Sequence, residues 1–212
     1  MRVAIAGGHG KIALHLARIL ARRGDEVRSI VRKEEHFDDL RDAGAQPVLC
    51  DLEEADAAAL AEAVGEVDAV VFAAGAGPGS GAPRKESVDY GGAVKLVDAA
   101  RQAGVSRYVM VSSVNADADH PGDEVFDVYL RAKGRADAAL ADSGLDHTIL
   151  RPVGLTDDPG TGRITTSVSR GDKIPREDVA ATIAVCLAAP ATIGQTYEIA
   201  TGDTPIADAL GG

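Results

Sequence analysis

Val3-Ala4-Ile5-Ala6-Gly7-Gly8-His9-Gly10-Lys11-Ile12-Ala13-Leu14 decides how this chain folds. A short apolar run ends at Gly7, glycines recur at Gly8 and Gly10, and a helix-forming stretch continues through Leu20. Strand, glycine turn, then helix is the order in which an α/β sheet grips a diphosphate. The first glycine permits the tight turn. Gly10 lets the backbone approach the phosphates, whose charge the helix N-terminus favours. Ala13 is the small residue where helix packs on strand. The spacing is G-x-x-G-x-x-A rather than G-x-G-x-x-G, and glycines also mark plain turns. The weight of the stretch comes from its place between a clear strand and a clear helix.

The same alternation runs down the chain. Short apolar runs, rich in Val and Ile, occupy Val3–Ala6, Val27–Val31, Pro47–Cys50, Ala69–Ala73, Tyr108–Val111 and His147–Leu150, as expected of buried parallel strands. Helical patterns lie between them at about Lys11–Arg23, Glu34–Ala43, Glu53–Val64, Lys85–Ala103 and Glu124–Ser143. Gly24, Gly44, Gly65, Gly104 and Gly144 each fall just past a helix, the usual place of a glycine C-cap. This punctuation predicts an α/β fold, a doubly wound parallel sheet in a single domain spanning 1–212. The segment Gly75–Pro83 is too rich in Gly and Pro for regular structure, and it follows a strand, so it belongs at the carboxyl edge where ligands bind. Beyond Leu150 a loop (Arg151–Gly162), a short strand (Arg163–Val168), a helix (Arg176–Ala189) and a late strand (Gln195–Ile199) remain to complete the sheet and a small substrate-side cap.

The chain has 212 residues and a formal charge of −11, from 22 basic and 33 acidic residues, so nucleic-acid binding has no electrostatic support. Its two cysteines, Cys50 and Cys186, read as free thiols in a reducing compartment rather than as a disulfide or metal site. Met1-Arg2 leads straight into a strand and no apolar run approaches a membrane span. The expectation is a cytoplasmic protein, without nucleic-acid or membrane partners, as monomer or homodimer.

Asp51 and Leu52 follow the third strand. The Asp51 carboxylate is placed to accept an adenine amino group, or to cap a helix beginning at Glu53 and Glu54. At the end of the second strand an NAD site usually carries an acid for the ribose 2′-hydroxyl. Here Arg32 and Lys33 stand instead, which suits a 2′-phosphate and favours NADP over NAD; otherwise they are solvated cations paired with Glu34 and Glu35. Tyr129 and Lys133 lie four apart on one helix face. Val125, Ala132, Ala136 and Leu140 share that face and point it inward. An ammonium beside a phenol stabilises the phenolate and yields a proton donor and acceptor. The plain alternative is a half-buried Tyr, with Lys133 paired to Asp137. Ser112 and Ser113 end the strand Tyr108–Val111 and are placed to hold a substrate carbonyl near Tyr129, or merely to shape a loop. Ser113 precedes Tyr129 by sixteen positions, so the loop Asn115–Asp123 must fold back.

Together these residues resemble the short-chain dehydrogenase/reductase superfamily, and within it the atypical NAD(P)H-binding, epimerase-like group with an amino-terminal GGxGxxA motif. The likeness rests on Gly7, Gly10 and Ala13, Arg32, Asp51, Ala73-Ala74-Gly75, Val88–Ala93, Val111-Ser112-Ser113, Tyr129 with Lys133, Leu150-Arg151-Pro152 and Ile174–Ala180. It implies a Rossmann domain in which Gly7, Gly8, His9, Gly10, Lys11 and Ile12 hold the pyrophosphate. Ala73, Ala74 and Gly75 would meet the adenosine ribose, and Pro152 and Val153 would line the nicotinamide end. Tyr129 would be the general acid/base, Lys133 would bind the nicotinamide ribose, and Ser112 or Ser113 would orient the substrate. The carboxy-terminal part is too short for the sugar-nucleotide lobe of true epimerases. The expected activity is NADP-dependent hydride transfer to a small carbonyl, quinone or flavin-like acceptor, without a metal. The alternative is an NADP(H)-binding redox sensor without turnover.

Overall fold

The glycine turn joins β1 (Arg2–Ala6) to α1 (Lys11–Arg22) in the computed structural model, which describes residues 1–77 and 79–211. β2 (Glu26–Val31), a tight helical turn (Glu34–His36), α2 (Phe37–Asp42), β3 (Gln46–Leu49), α3 (Ala57–Val64) and β4 (Ala69–Phe72) follow. Next comes one irregular coil made of α4 (Ala82–Arg84), a π-helical stretch (Lys85–Gly92) and α5 (Ala93–Gln102). The chain continues through β5 (Arg107–Val111), α6 (Val125–Ala141), β6 (Asp146–Pro152), β7 (Gly154–Thr156), β8 (Arg163–Thr165) and β9 (Lys173–Pro175). It closes with α7 (Arg176–Ala188), β10 (Gln195–Thr201), β11 (Thr204–Pro205) and α8 (Ile206–Ala209).

Nine strands form the main sheet in the order β11-β8-β10-β6-β5-β4-β1-β2-β3. From β10 to β3 all neighbours run parallel, while β8 and β11 close one edge antiparallel. The order reverses between β1 and β4, and that switch opens a crevice at the carboxyl ends. Alternation along β1 builds two cores. Val3 and Ile5 face Leu16, Leu20 and Ile183 from α1 and α7, whereas Ala4 and Ala6 face Leu60 and Leu96 from α3 and α5. The five glycines expected past helices all have positive φ.

Some boundaries differ from the sequence reading. The helix expected from Glu53 begins at Ala57. The Asp51 carboxylate accepts the Glu53 N–H at 2.9 Å and holds a local turn, and Asp56 caps the helix by accepting the Ala59 N–H at 2.8 Å. Pro47 puts the third apolar run on the exposed edge, where a missing N–H costs least. The helix expected at Lys85–Ala103 is wound as a π-helical stretch through Gly91-Gly92 before it becomes regular at Ala93. Val125 is 45% exposed, off the buried stripe of Ala132, Ala136 and Leu140. The short pair β7 and β9 forms a separate parallel sheet beneath the crevice mouth. Among the described residues of the Gly75–Pro83 segment no regular structure precedes Ala82, but Ala82 and Pro83 open α4 instead of staying irregular, since proline suits the first turn of a helix; Pro78 lies outside the described residues.

Candidate functional site

Gly7 adopts φ +76°, and a Cβ there would stand 2.5 Å from the Ala74 Cα, so this turn admits only glycine. Gly8 is the tight contact behind it: its N–H donates to the Ile30 carbonyl at 3.0 Å, and a Cβ would meet Ser29. Gly8 therefore builds the turn and does not line the crevice. Gly10 opens α1 with no side-chain cap and no acidic residue in the first turn. The first amides of α1 thus lack a helix partner and face the crevice mouth, which fits a diphosphate. Lys11, expected at the phosphates, reaches instead to Asp157 at 2.5 Å. That carboxylate also holds Arg176 at 2.7 Å, and the two cations keep it below the usual carboxylate range, the hydrogen bond from Lys11 acting most strongly.

On one side of the turn lies a cavity of about 350 Å³, walled by Gly7, Arg32, His36, Asp51, Leu52 and Ala73 among others. Arg32 points along it, 3.8 Å from the Glu53 carboxylate. Lys33 does not belong to this wall, because its ammonium pairs with Glu35 at 2.7 Å. Of the two cations expected to receive a 2′-phosphate, Arg32 alone is brought to the crevice. Glu53 accepts from Ser87 at 2.6 Å and Arg84 at 2.9 Å, latching the turn after β3 to the coil after β4. These bonds, Ser87's first, hold its carboxyl below the ordinary value. His9 lines the same cavity and stacks on His36, with ring centroids 3.7 Å apart and planes at 4°. Its ring nitrogen lies 2.8 Å from Asp39. Burial, then the neighbouring His9, pushes the His36 imidazolium below its usual pKa. Cys50 is only half-buried and also faces the cavity, its thiol pushed up by burial; Cys186 is buried and pushed up to about 11.

Ala73, Ala74, Gly75, Ala76 and Gly77 form the wall shared with a second cavity of about 680 Å³. Tyr129, Lys133, Ser112, Ser113, Pro152 and Val153 meet there, with Ile12 from α1. Lys133 is 3% exposed. Its ammonium donates to the Val111 carbonyl at 3.1 Å and lies 3.4 Å from the Asp89 carboxylate and 6.0 Å from the Tyr129 ring centroid. Asp89 is wholly buried and accepts the Ala76 N–H at 3.2 Å, so one carboxylate ties Lys133 to the shared wall. The alternative pairing of Lys133 with Asp137 does not form. Asp137 accepts the Ser112 hydroxyl and the Arg151 guanidinium, each at 2.9 Å, while burial holds its carboxyl above the normal range. The Ser112 proton is therefore committed to a buried acid. Ser113 rests on the local Val114 carbonyl at 3.2 Å and is half-buried. The returning loop is held by Arg131, which donates to the His120 carbonyl at 2.8 Å and the Gly122 carbonyl at 2.9 Å. That closure brings Ser113 and Tyr129 to one cavity.

The sequence reading gave His36, Glu53, Arg84, Lys85, Asp89 and Arg176 no place in the site. Asp89 and Arg176 stood within quoted motifs and Glu53 was read as a helix start, yet only packing, as of Asp89 against Lys133, shows what they do. Among the described residues no group of three or more His, Cys, Asp or Glu is placed to hold a metal.

The family model described as NAD(P)H-binding matches residues 7–190. A Bacillus subtilis protein named as an uncharacterized sugar epimerase, YhfK, is 39% identical, over 99% of this chain and 99% of its own. A solved Bacillus halodurans structure, provisionally named an NAD-dependent epimerase/dehydratase, superposes with a TM-score of 0.91 at 41% identity, covering 99% of this chain and 98% of that one. The anaerobilin reductase ChuY of Escherichia coli O157:H7 superposes with a TM-score of 0.79 at 26% identity, over 96% and 98% of the two chains. With a glycine turn opening on the crevice and the family match spanning most of its length, this chain belongs to the NAD(P)H-binding family of Rossmann-fold proteins.

Proposed function

We propose that the protein is an NADP-dependent reductase of a small carbonyl, quinone or flavin-like acceptor. The observation that carries this reading is Tyr129 facing the second cavity, across the shared wall from the diphosphate turn and from Arg32. The first amides of α1 would hold the diphosphate. Arg32 would meet the 2′-phosphate, and Asp51 and Leu52 the adenine. A bound nicotinamide cofactor supplies or takes the hydride. Lys133, anchored by Asp89 and the Val111 carbonyl, retains a third N–H for a ribose hydroxyl. Ser113 would orient the acceptor oxygen, and Tyr129 would give or take its proton. Ser112 positions Asp137 and α6.

Phenylalanine at 129 tests this directly. Turnover of NADPH with a panel of aldehydes and quinones should fall roughly 10²-fold or more, with NADPH affinity by fluorescence titration nearly intact. An unchanged rate removes Tyr129 from the chemistry. Tight NADPH binding by the native protein with no turnover of any acceptor would replace the reductase by a redox sensor.

A further inference from the structure

The second cavity carries a charge pattern that hydride transfer does not itself require. Lys85, Lys133 and Arg176 line it against the single carboxylate of Asp89, in a chain of net charge −11. Lys133 and Asp89 compensate each other inside the protein. Arg176 shares Asp157 with Lys11, two cations against one acid. Among the described residues Lys85 touches only the Gly77 carbonyl, at 3.0 Å, and the face of Tyr129, 5.3 Å from its centroid. Two positive charges are therefore left over at the mouth. Neither Lys85 nor Arg176 reaches the adenosine-side cavity.

Exposed apolar side chains line the same cavity. Phe126, 64% exposed, stands at the rim with its ring 5.8 Å from that of Tyr129, and Val125 stands beside it at 45% exposure. Single exposed apolar side chains mean little. Two at the mouth of one cavity of about 680 Å³, next to unbalanced cations, describe a ligand. We propose that the acceptor is a flat, conjugated carbonyl compound or quinone bearing a carboxylate. Its ring lies against Phe126 and Tyr129, and its carboxylate meets Lys85 and Arg176. This substrate class rests on the reductase reading of the same site.

Binding and turnover separate the two ideas. NADP⁺-saturated protein is titrated calorimetrically with 2-naphthoate and with neutral 2-naphthamide. The carboxylate should bind about tenfold more tightly, the weight of one charge-assisted contact, and the preference should shrink with added salt. Lys85→Gln and Arg176→Gln should each lower the preference several-fold with naphthamide binding little changed. Phe126→Ala should weaken both ligands alike, by roughly three- to tenfold. Lys85→Gln keeps the question decidable if the loss of Arg176 from the Asp157 pair unsettles α7. NADPH oxidation is then followed with 4-formylbenzoate and benzaldehyde. Preferred naphthoate binding without reduction of either aldehyde upholds the carboxylate-binding site and refutes the reductase. Reduction of both aldehydes at equal kcat/KM, with naphthoate no tighter than naphthamide, does the reverse. Binding of neither naphthalene overturns the proposal.

Discussion

On the proposed NADP reading Arg32 would set the cofactor preference, and its surroundings set the expected numbers. It faces the adenosine-side cavity with only a 3.8 Å approach to Glu53, whereas Lys33 is spent on Glu35. Arg32→Ala should lower NADPH affinity about tenfold or more, the loss of a bond to a charged group, and leave NADH affinity unchanged. Lys33→Ala should change neither, and calorimetric titration of both cofactors checks the pair. Cys50 offers a second reading of the same cavity. Its thiol should react slowly with a disulfide reagent near neutral pH, and NADPH should slow it further, while Cys186 reacts only on unfolding. What the sequence disclosed was chemistry carried by a fixed offset. The glycine turn, Arg32 after a strand, and Tyr129 with Lys133 four residues on are of this kind. What it concealed was chemistry assembled across elements. Asp89 and Lys133 sit on different helices, His9 on the glycine turn and His36 on the tight helical turn after β2, and no periodicity brings either pair together. The same blindness put Lys11 in the crevice, since its pairing with Asp157 spans 146 positions, whereas for Lys33 the plain alternative, a solvated cation paired with Glu35, is what the structure shows.

Helix α6 gives a case in which local preference and packing disagree. Gly134 sits in its middle, where alanine would ordinarily gain about 1 kcal/mol. A Cβ at that position runs into the Asp117 and Ala118 backbone of the returning loop, which has no flexible side chain to yield. Gly134→Ala should therefore destabilise the protein, by roughly 1–3 kcal/mol in urea unfolding, as overpacking does. The turn after β3 makes a prediction about acid. The lowered carboxyl of Glu53 means that the native state binds fewer protons there than the unfolded chain. Its stabilising contribution is complete above the ordinary glutamate value and fades as pH falls through the native one. Glu53→Gln should lower Tm at neutral pH, and the gap from the native protein should narrow below about pH 4.3. Strong elements were legible because Val- and Ile-rich runs and terminal glycines mark them. β7, β9 and β11 were not, since two or three residues bearing Gly or Pro carry no strand signal, whereas β8, just as short, lies in the β-branched run Ile164-Thr165-Thr166.

Val3 and Leu210 belong to one apolar cluster, so the two ends of the chain share a core. Calorimetry should record a single cooperative transition, and two separable ones would divide the domain. Removing residues 195–211 should leave the chain insoluble rather than shortened, because it strips β10 from β6 and uncovers Ile164 and Ile183. The π-helical stretch at Lys85–Gly92 bears on how such a chain tolerates change in length. Excising one residue there would restore regular winding, and it would also swing all that precedes it about 100° round the axis. Arg84 would leave Glu53 and Lys85 would turn from Tyr129, so a shorter, tidier coil would be a sturdier rod and an unarmed groove. Descendants of this chain should accept new lengths at the surface loops and refuse them at this bend.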